Sequence, residues 1–204
     1  MYTFCLGERW NERAVPHLYV HIHLAIYIKI EDNDECVVPS IGIWRKSKMI
    51  IRRAEVKDTD GIMKLLVQVN NVHSEGRPDL FIRDKTKYTV EELQDIIKND
   101  NTPIFVAVDE ENNVLGYSFG VFQSHVEDNN FPDIVTYYID DLCVDEACRG
   151  QHIGKALYDY VIQFAKESGC YNVTLNVWEK NESAKRFYAS CGLQTQKIGL
   201  EVIL

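Results

Sequence analysis

The 204-residue chain predicts an α/β (α+β) fold, a mixed, mostly antiparallel central sheet flanked by helices, and three observations carry that prediction. Two runs rich in β-formers, "TPIFVAVD" and "NVLGYSFGVFQS", are joined by the turn-like "EENN", as in an antiparallel hairpin. A third run, "IVTYYIDDLCV" at 134–144, leads through a glycine-bearing loop into a helix. In that helix Ile153, Ala156, Leu157, Tyr160, Val161, Phe164 and Ala165 recur with the spacing of one helical face.

The other elements fall around these. From Met49, "MIIRRA" reads as a strand and "DTDGIMKLLVQVNNVH" as a capped helix. "SEGRPDLFIRDKTKY", residues 74–88, is an irregular loop with Pro and Gly, placed to shape a binding site. Thr89 with Glu92 three residues later is a capping box that opens a helix through about Lys98. Gly169 ends the helix that begins near Ile153. A strand at 172–178, a helix at 182–191 stopped by Gly192, and a pair of short strands within 193–204 complete the order.

A chain of this length with 46% hydrophobic residues supports one well-buried domain and an appendage. Charge divides it at Met49. Residues 1–48 hold six of the 22 basic and six of the 31 acidic side chains, so the whole net charge of −9 belongs to 49–204. That balance speaks against nucleic-acid binding through phosphate contacts and for an amine-bearing partner. We therefore expect an N-terminal extension, 1–48, and a functional domain, 49–204. Within the extension "LYVHIHLAIYIKI" alternates apolar and polar residues as a strand does, and such a strand could pair with a sheet edge or a second chain, so a homodimer is compatible with the sequence. His17, His21 and His23 lie there too, but no carboxylate or cysteine completes a ligand set, and no metal site is expected.

The six cysteines, at 5, 36, 143, 148, 170 and 191, form no Cys-x-x-Cys pair and read as reduced core thiols. No run approaches the ~18 apolar residues of a membrane span. Glu8 and Glu12 interrupt the basic N-terminus, against a secretory signal. A cytoplasmic protein without membrane partners is the expectation.

The loop "CRGQHIGKAL" carries the chemistry. Gly150 and Gly154 weaken the start of a helix, which is useful where the main chain must turn left-handed or approach a ligand closely. A helix start aims free N–H groups and the positive end of its dipole at whatever lies above it, so an anion such as phosphate fits. The Walker and dinucleotide spacings are both absent.

Arg149-Gly150-Gln151-His152-Ile153-Gly154 resembles the acetyl-CoA pyrophosphate loop of the GNAT superfamily of N-acetyltransferases, with His152 where the family usually has its first glycine. "NESAKRFYASCGL", 181–193, resembles that family's following helix, and the two motifs stand in order about 30 residues apart. The resemblance covers 49–204. It implies a splayed strand pair beside the loop and acetyl-CoA as cosubstrate, without a metal. The main chain from Gln151 through His152, Ile153 and Gly154 to Lys155, with the side chain of Arg149 or Lys155, would cradle the phosphates. Leu142, Cys143 and Val144 would hold the pantetheine arm along their backbone, with Asn181 and Ser183 on its other side.

Transfer to an amine requires the neutral nucleophile; an amine of ordinary pKa is neutral about one part in 2,500 at pH 7, a deficit of about 4.6 kcal/mol that a general base can offset. Asp140 and Asp141 end the strand that enters the loop, and strand alternation would turn them to opposite faces, one of them the cleft. In family members acting on polyamines a carboxylate pair resembling "YIDDL" supplies the base from its first member, which implies Asp140; a solvated pair that only attracts the ammonium is the alternative. Tyr188 shares the inward stripe of its helix with Ala184 and Cys191 and could be plain core. By the resemblance it gives a proton to the departing CoA thiolate, a transfer uphill by about 2 kcal/mol. Cys143 as an acetylated nucleophile is a lesser alternative. The acceptor would be a primary amine of a small molecule or protein, and Glu127, Asp128 and Asp133 could add to a cationic pocket. A non-catalytic acyl-CoA-binding regulatory domain is the competing function, though such a domain needs neither acid nor base.

Overall fold

A computed structural model describes residues 49–124 and 132–204. Its sheet has five strands in chain order: β1 (Ile50–Arg53), β2 (Ile104–Val108), β3 (Val114–Ser124), β4 (Val135–Val144) and β5 (Asn172–Leu175). Every neighbouring pair is antiparallel except β4 and β5, which run parallel and are joined through a helix. Helices α1 (Thr59–Gly76) and α2 (Val90–Lys98) cover one face, and α3 (Ile153–Glu167) and α4 (Glu182–Ser190) the other.

The two-sided cover explains β2. All five of its residues are buried, with Ile104, Val106 and Val108 packed toward α1 and α2, and Phe105 and Ala107 toward α3. Ile62, Leu65 and Leu66 supply the buried stripe of α1, and Leu157, Val161 and Ala165 that of α3. The capping box of α2 forms as expected: Glu92 N–H donates to Thr89 Oγ1 at 3.2 Å, and Thr89 N–H donates to Glu92 Oε2 at 2.8 Å.

Two expectations are corrected. The register of β3 against β4 slips by one residue: Phe119 faces Asp141 while Gly120 faces Ile139, so Asp140 is the extra residue of a β-bulge. Strand alternation is broken there, and the adjacent carboxylates do not divide between the two faces. Both meet partners on the α1/α2 side, Asp140 at Lys87 and Asp141 at Tyr117. Gly120 is required beside the bulge because the Tyr137 hydroxyl occupies the place a Cβ would take. The second correction concerns 193–204, which form no strand, while β5 stops at Leu175 instead of reaching 178. A strand needs a ladder partner, and the described residues offer this segment none. The alternating run at 18–30, with His17, His21 and His23, lies outside the described residues, as do Glu127 and Asp128.

Candidate active site

The site begins where β4 and β5 part. Their ladder runs from Thr136↔Asn172 to Ile139↔Leu175, and β4 then continues to Val144 without a partner on that side among the described residues. The bulge at Asp140 therefore coincides with the start of the splay. From Asp140 to Val144 a row of backbone groups faces the gap, which is what an extended ligand needs to add itself as a further strand.

Beyond β4 the chain is pinned to α1. Lys64 Nζ donates to Asp145 Oδ2 at 2.8 Å, Ala147 N–H donates to Asp145 Oδ1 at 3.0 Å, and Glu146 N–H donates to Gln68 Oε1 at 3.1 Å. The Lys64 hydrogen bond holds the Asp145 carboxyl below its usual range. Arg149 Nε donates to the Val144 carbonyl at 3.4 Å as the loop turns. Gly150 then takes φ +80° and His152 φ 61°, ψ 10°, so the histidine that replaces the usual glycine adopts the left-handed conformation itself. No side chain caps α3, and the N–H groups of its first turn are left for a ligand. Ile153 is buried beneath the loop against Leu157 and Ala107. Gln151 is exposed on it. A Cβ on Gly154 would stand 3.5 Å from Val144 Cγ2 and 3.6 Å from the Phe187 ring, so this glycine keeps the floor between β4 and α4 low.

Several expected contacts look elsewhere. Lys155 turns along its own helix to Asp159, 2.6 Å away. Asn181 Oδ1 accepts from Ala184 N–H at 3.0 Å and caps α4, with Ser183 exposed in the first turn. Cys143 points into the α1 core, where burial, and then the charge of Asp141, push its thiol up to about 12. A thiol so held is a poor nucleophile near neutrality, which weighs against an acetylated cysteine. Asp133 is exposed.

Of the acid and base candidates, Asp141 and Tyr188 are linked by charge. Asp141 is half-buried at the mouth of the splay, and burial raises its pKa to about 6 although the Tyr117 hydroxyl donates to it at 2.7 Å. Tyr188 is raised above the ordinary phenol range by burial and next by the negative charge of Asp141, which links the two electrostatically across the site. Asp140 instead accepts from Lys87 Nζ at 2.6 Å. Burial opposes charge on Lys87, but the attraction of Asp140 and its hydrogen bond outweigh it and raise the lysine above its usual range. That ammonium also lies 5.3 Å from the centre of the Tyr88 ring, which stacks on Phe119 at 5.9 Å.

Sequence reasoning missed Lys87, Tyr88 and Tyr117. The first two lie in a loop without periodicity, and Tyr117 looks like any inward strand aromatic. Nearby, Asn176 Nδ2 donates to the Tyr138 hydroxyl at 3.1 Å, and the rings of Phe81 and Trp178 meet edge to face at 5.3 Å. Among the described residues no group of three or more His, Cys, Asp or Glu side chains could hold a metal, and no helix is long and apolar enough to cross a membrane.

Comparison with known proteins agrees with this architecture. A mutant of the BH1408 protein from Bacillus halodurans superposes with a TM-score of 0.72 at 31% identity, over 76% of this chain and 99% of that one. The glucosamine-6-phosphate N-acetyltransferase of Arabidopsis thaliana shares the fold, with a TM-score of 0.57 at 24% identity over 76% of this chain and 98% of its own. In sequence, a glucosamine 6-phosphate N-acetyltransferase of Arabidopsis thaliana is 34% identical over 61 residues, 30% of this chain and only 39% of that relative. Residues 65–193 match the model of the acetyltransferase (GNAT) family, and with the splayed strands and the left-handed loop in place, the chain belongs to that family.

Proposed function

We propose that the protein transfers an acetyl group from acetyl-CoA directly to a primary amine, with Asp141 as general base and Tyr188 as general acid. The observation that carries this reading is the parting of β4 from β5 beyond Ile139↔Leu175, in front of the left-handed loop; Asp141, a carboxyl that burial raises to about 6, lies on that free stretch, and Tyr188 is raised by burial and then by the charge of Asp141. The unpaired edge from Asp140 to Val144 fits the pantetheine arm, and the uncapped first turn of α3 behind Gly150 and His152 fits the pyrophosphate. When bound, acetyl-CoA supplies a thioester carbonyl to the amine and a thiolate as leaving group.

In this reading Asp140 attracts the acceptor ammonium, which must compete with Lys87. Asp141, ionised above about pH 6, removes the proton that frees the lone pair. The new N–C bond forms as the C–S bond breaks, and Tyr188 gives its phenolic proton to the departing sulfur. Asp141 is favoured over Asp140 because Asp140 is already neutralised by an ion pair. The acceptor is an amine-bearing small molecule or protein side chain, and the curated relative makes an amino-sugar phosphate the natural first trial.

The test is thiol release from acetyl-CoA across a panel of amines, including amino sugars, their phosphates, polyamines and a lysine peptide. Turnover with any of them, lost in Tyr188→Phe, supports the enzyme; saturable acetyl-CoA binding without turnover on any acceptor would identify a binding domain instead.

A further inference from the structure

On the α1/α2 side of the sheet a cation already stands on a carboxylate that an acceptor's ammonium would use: Lys87 Nζ donates to Asp140 Oδ2 at 2.6 Å. The backbone that carries this lysine is pinned. Asn70 Nδ2 donates to the Ile82 carbonyl at 2.7 Å, Asn71 and Asp84 exchange two hydrogen bonds of 2.9 Å, and Thr86 Oγ1 donates to the Tyr88 carbonyl at 2.8 Å. The capping box of α2 begins at Thr89, so the chain is tied down on both sides of Lys87 and the freedom left is in its side chain. That side chain is 54% exposed against 23% for Asp140, so the pair opens to solvent on the lysine side.

The charge of the loop points the same way. Residues 77–88 carry four basic and two acidic side chains, although 49–204 are strongly acidic as a whole. Arg77 is taken by Asp79 and Glu201, and Arg83 by Glu75. Among the described residues Lys87 is the cation that reaches the carboxylates of β4. A simple amine that displaced it would gain Asp140 but leave the lysine's charge without a partner, beside a second cation. An amine that brings an anion of its own restores that partner.

We propose that the acceptor is a zwitterion, an amine bearing its own carboxylate or phosphate, and that it enters by exchanging partners with this ion pair. Its ammonium takes the place of Lys87 at Asp140, and its anion takes the place of Asp140 at Lys87. The Tyr88 ring, 5.3 Å from the lysine ammonium and stacked on Phe119, gives the displaced side chain a surface to lie on. After the exchange the bound ammonium stands at the residue next to Asp141. The inference rests on the acetyl-transfer reading for the fate of that amine, and on the ion pair for the class of ligand.

The experiment uses the full chain saturated with CoA, a complex that cannot transfer an acetyl group, and measures acceptor binding by calorimetry. The probes are the unbranched amino acids from glycine to 6-aminohexanoate, each against the alkylamine lacking its carboxylate, and glucosamine 6-phosphate against glucosamine. At least one anion-bearing probe should bind about tenfold or more tighter than its anion-free counterpart, the scale of one charge-assisted hydrogen bond. Lys87→Met should abolish that preference and tighten binding of the anion-free amine. Lys85→Met, an equal change of charge at an exposed position of the same loop, should leave the preference in place. Equal affinity within every pair, no binding of any probe, or a preference that survives Lys87→Met would overturn the proposal. Repeating the series with acetyl-CoA separates the two readings. The preference without thiol release would overturn acetyl transfer and leave the zwitterion site standing, whereas turnover of anion-free amines without the preference would do the reverse.

Discussion

As the proposed base, Asp141 would couple activity and stability in opposite directions. Its pKa is raised on folding from about 3.8 to about 6, so the native state binds this proton more tightly than the unfolded chain. The associated stability is fully present below about pH 4 and is lost as pH rises through 6. The ionised form that accepts a proton is populated over the range in which that stability disappears. Asp141→Asn should therefore raise the thermal midpoint at pH 8, by an amount equivalent to about 1–3 kcal/mol, while abolishing the limb of kcat/KM that rises through pH 6. A midpoint that falls, or an unchanged limb, would assign the base elsewhere. Tyr188→Phe should lower kcat by about 100-fold or more where chemistry limits turnover, with acetyl-CoA affinity nearly unchanged by calorimetry. Lys87→Met should lower KM severalfold for a diamine and leave kcat alone, because it frees Asp140 from an internal competitor; an unchanged or higher diamine KM would remove Lys87 from the acceptor cleft.

Among the elements, the readable parts were those governed by local rules. Thr89 and Glu92 announced α2 through a reciprocal cap that needs nothing beyond three residues of spacing. The helix after the glycine loop was legible because its stripe is long enough to average over exceptions. The loop was legible from its glycines, whereas a left-handed residue at His152 was not fixed by the sequence, although histidine is among the side chains that tolerate positive φ. The bulge was not legible. "YIDDLCV" reads as unbroken alternation, and the register slip arises from β3, where Gly120 yields space to Tyr137. A glycine inside a strand is a bulge signal, and it was the one mark in the sequence that could have placed Asp140 and Asp141 on the same side. Gly154→Val belongs to this scale. Its Cβ finds ordinary contact distances, so the melting temperature should move little, whereas the added methyl groups rise from the floor between Val144 and Phe187 and should cost at least about tenfold in acetyl-CoA affinity. Undiminished affinity in the folded variant would mean that the ligand does not cross this floor.

For the whole molecule, residues 49–204 contain every strand and helix described and both cores. A fragment of that span should fold and bind acetyl-CoA as tightly as the full chain, measured by calorimetry and thermal melting. Loss of soluble protein would show that 1–48 belong to the working unit. The expected boundary rests on the charge step at Met49, while the strand pair expected within 193–204 did not form, because alternation alone supplies no ladder partner and the described residues offer none. Core truncations should behave in the opposite way to changes at the loop: Leu65→Ala, at a fully buried position of α1, should cost about 2–5 kcal/mol in denaturant unfolding.

The bulge and the segment between α1 and α2 also divide the labour of the protein in a way that bears on its evolution. On the proposed reading, acyl handling rests on the main chain of β4 and the start of α3, where the backbone rather than side-chain identity would do the binding. Lys87 and Tyr88 instead sit on a connection that touches this machinery mainly at Asp140, through one ion pair. On the proposed chemistry, descendants of this sequence could exchange one acceptor for another by drift within 77–89 while keeping the same thioester donor, and the two specificities would be inherited separately.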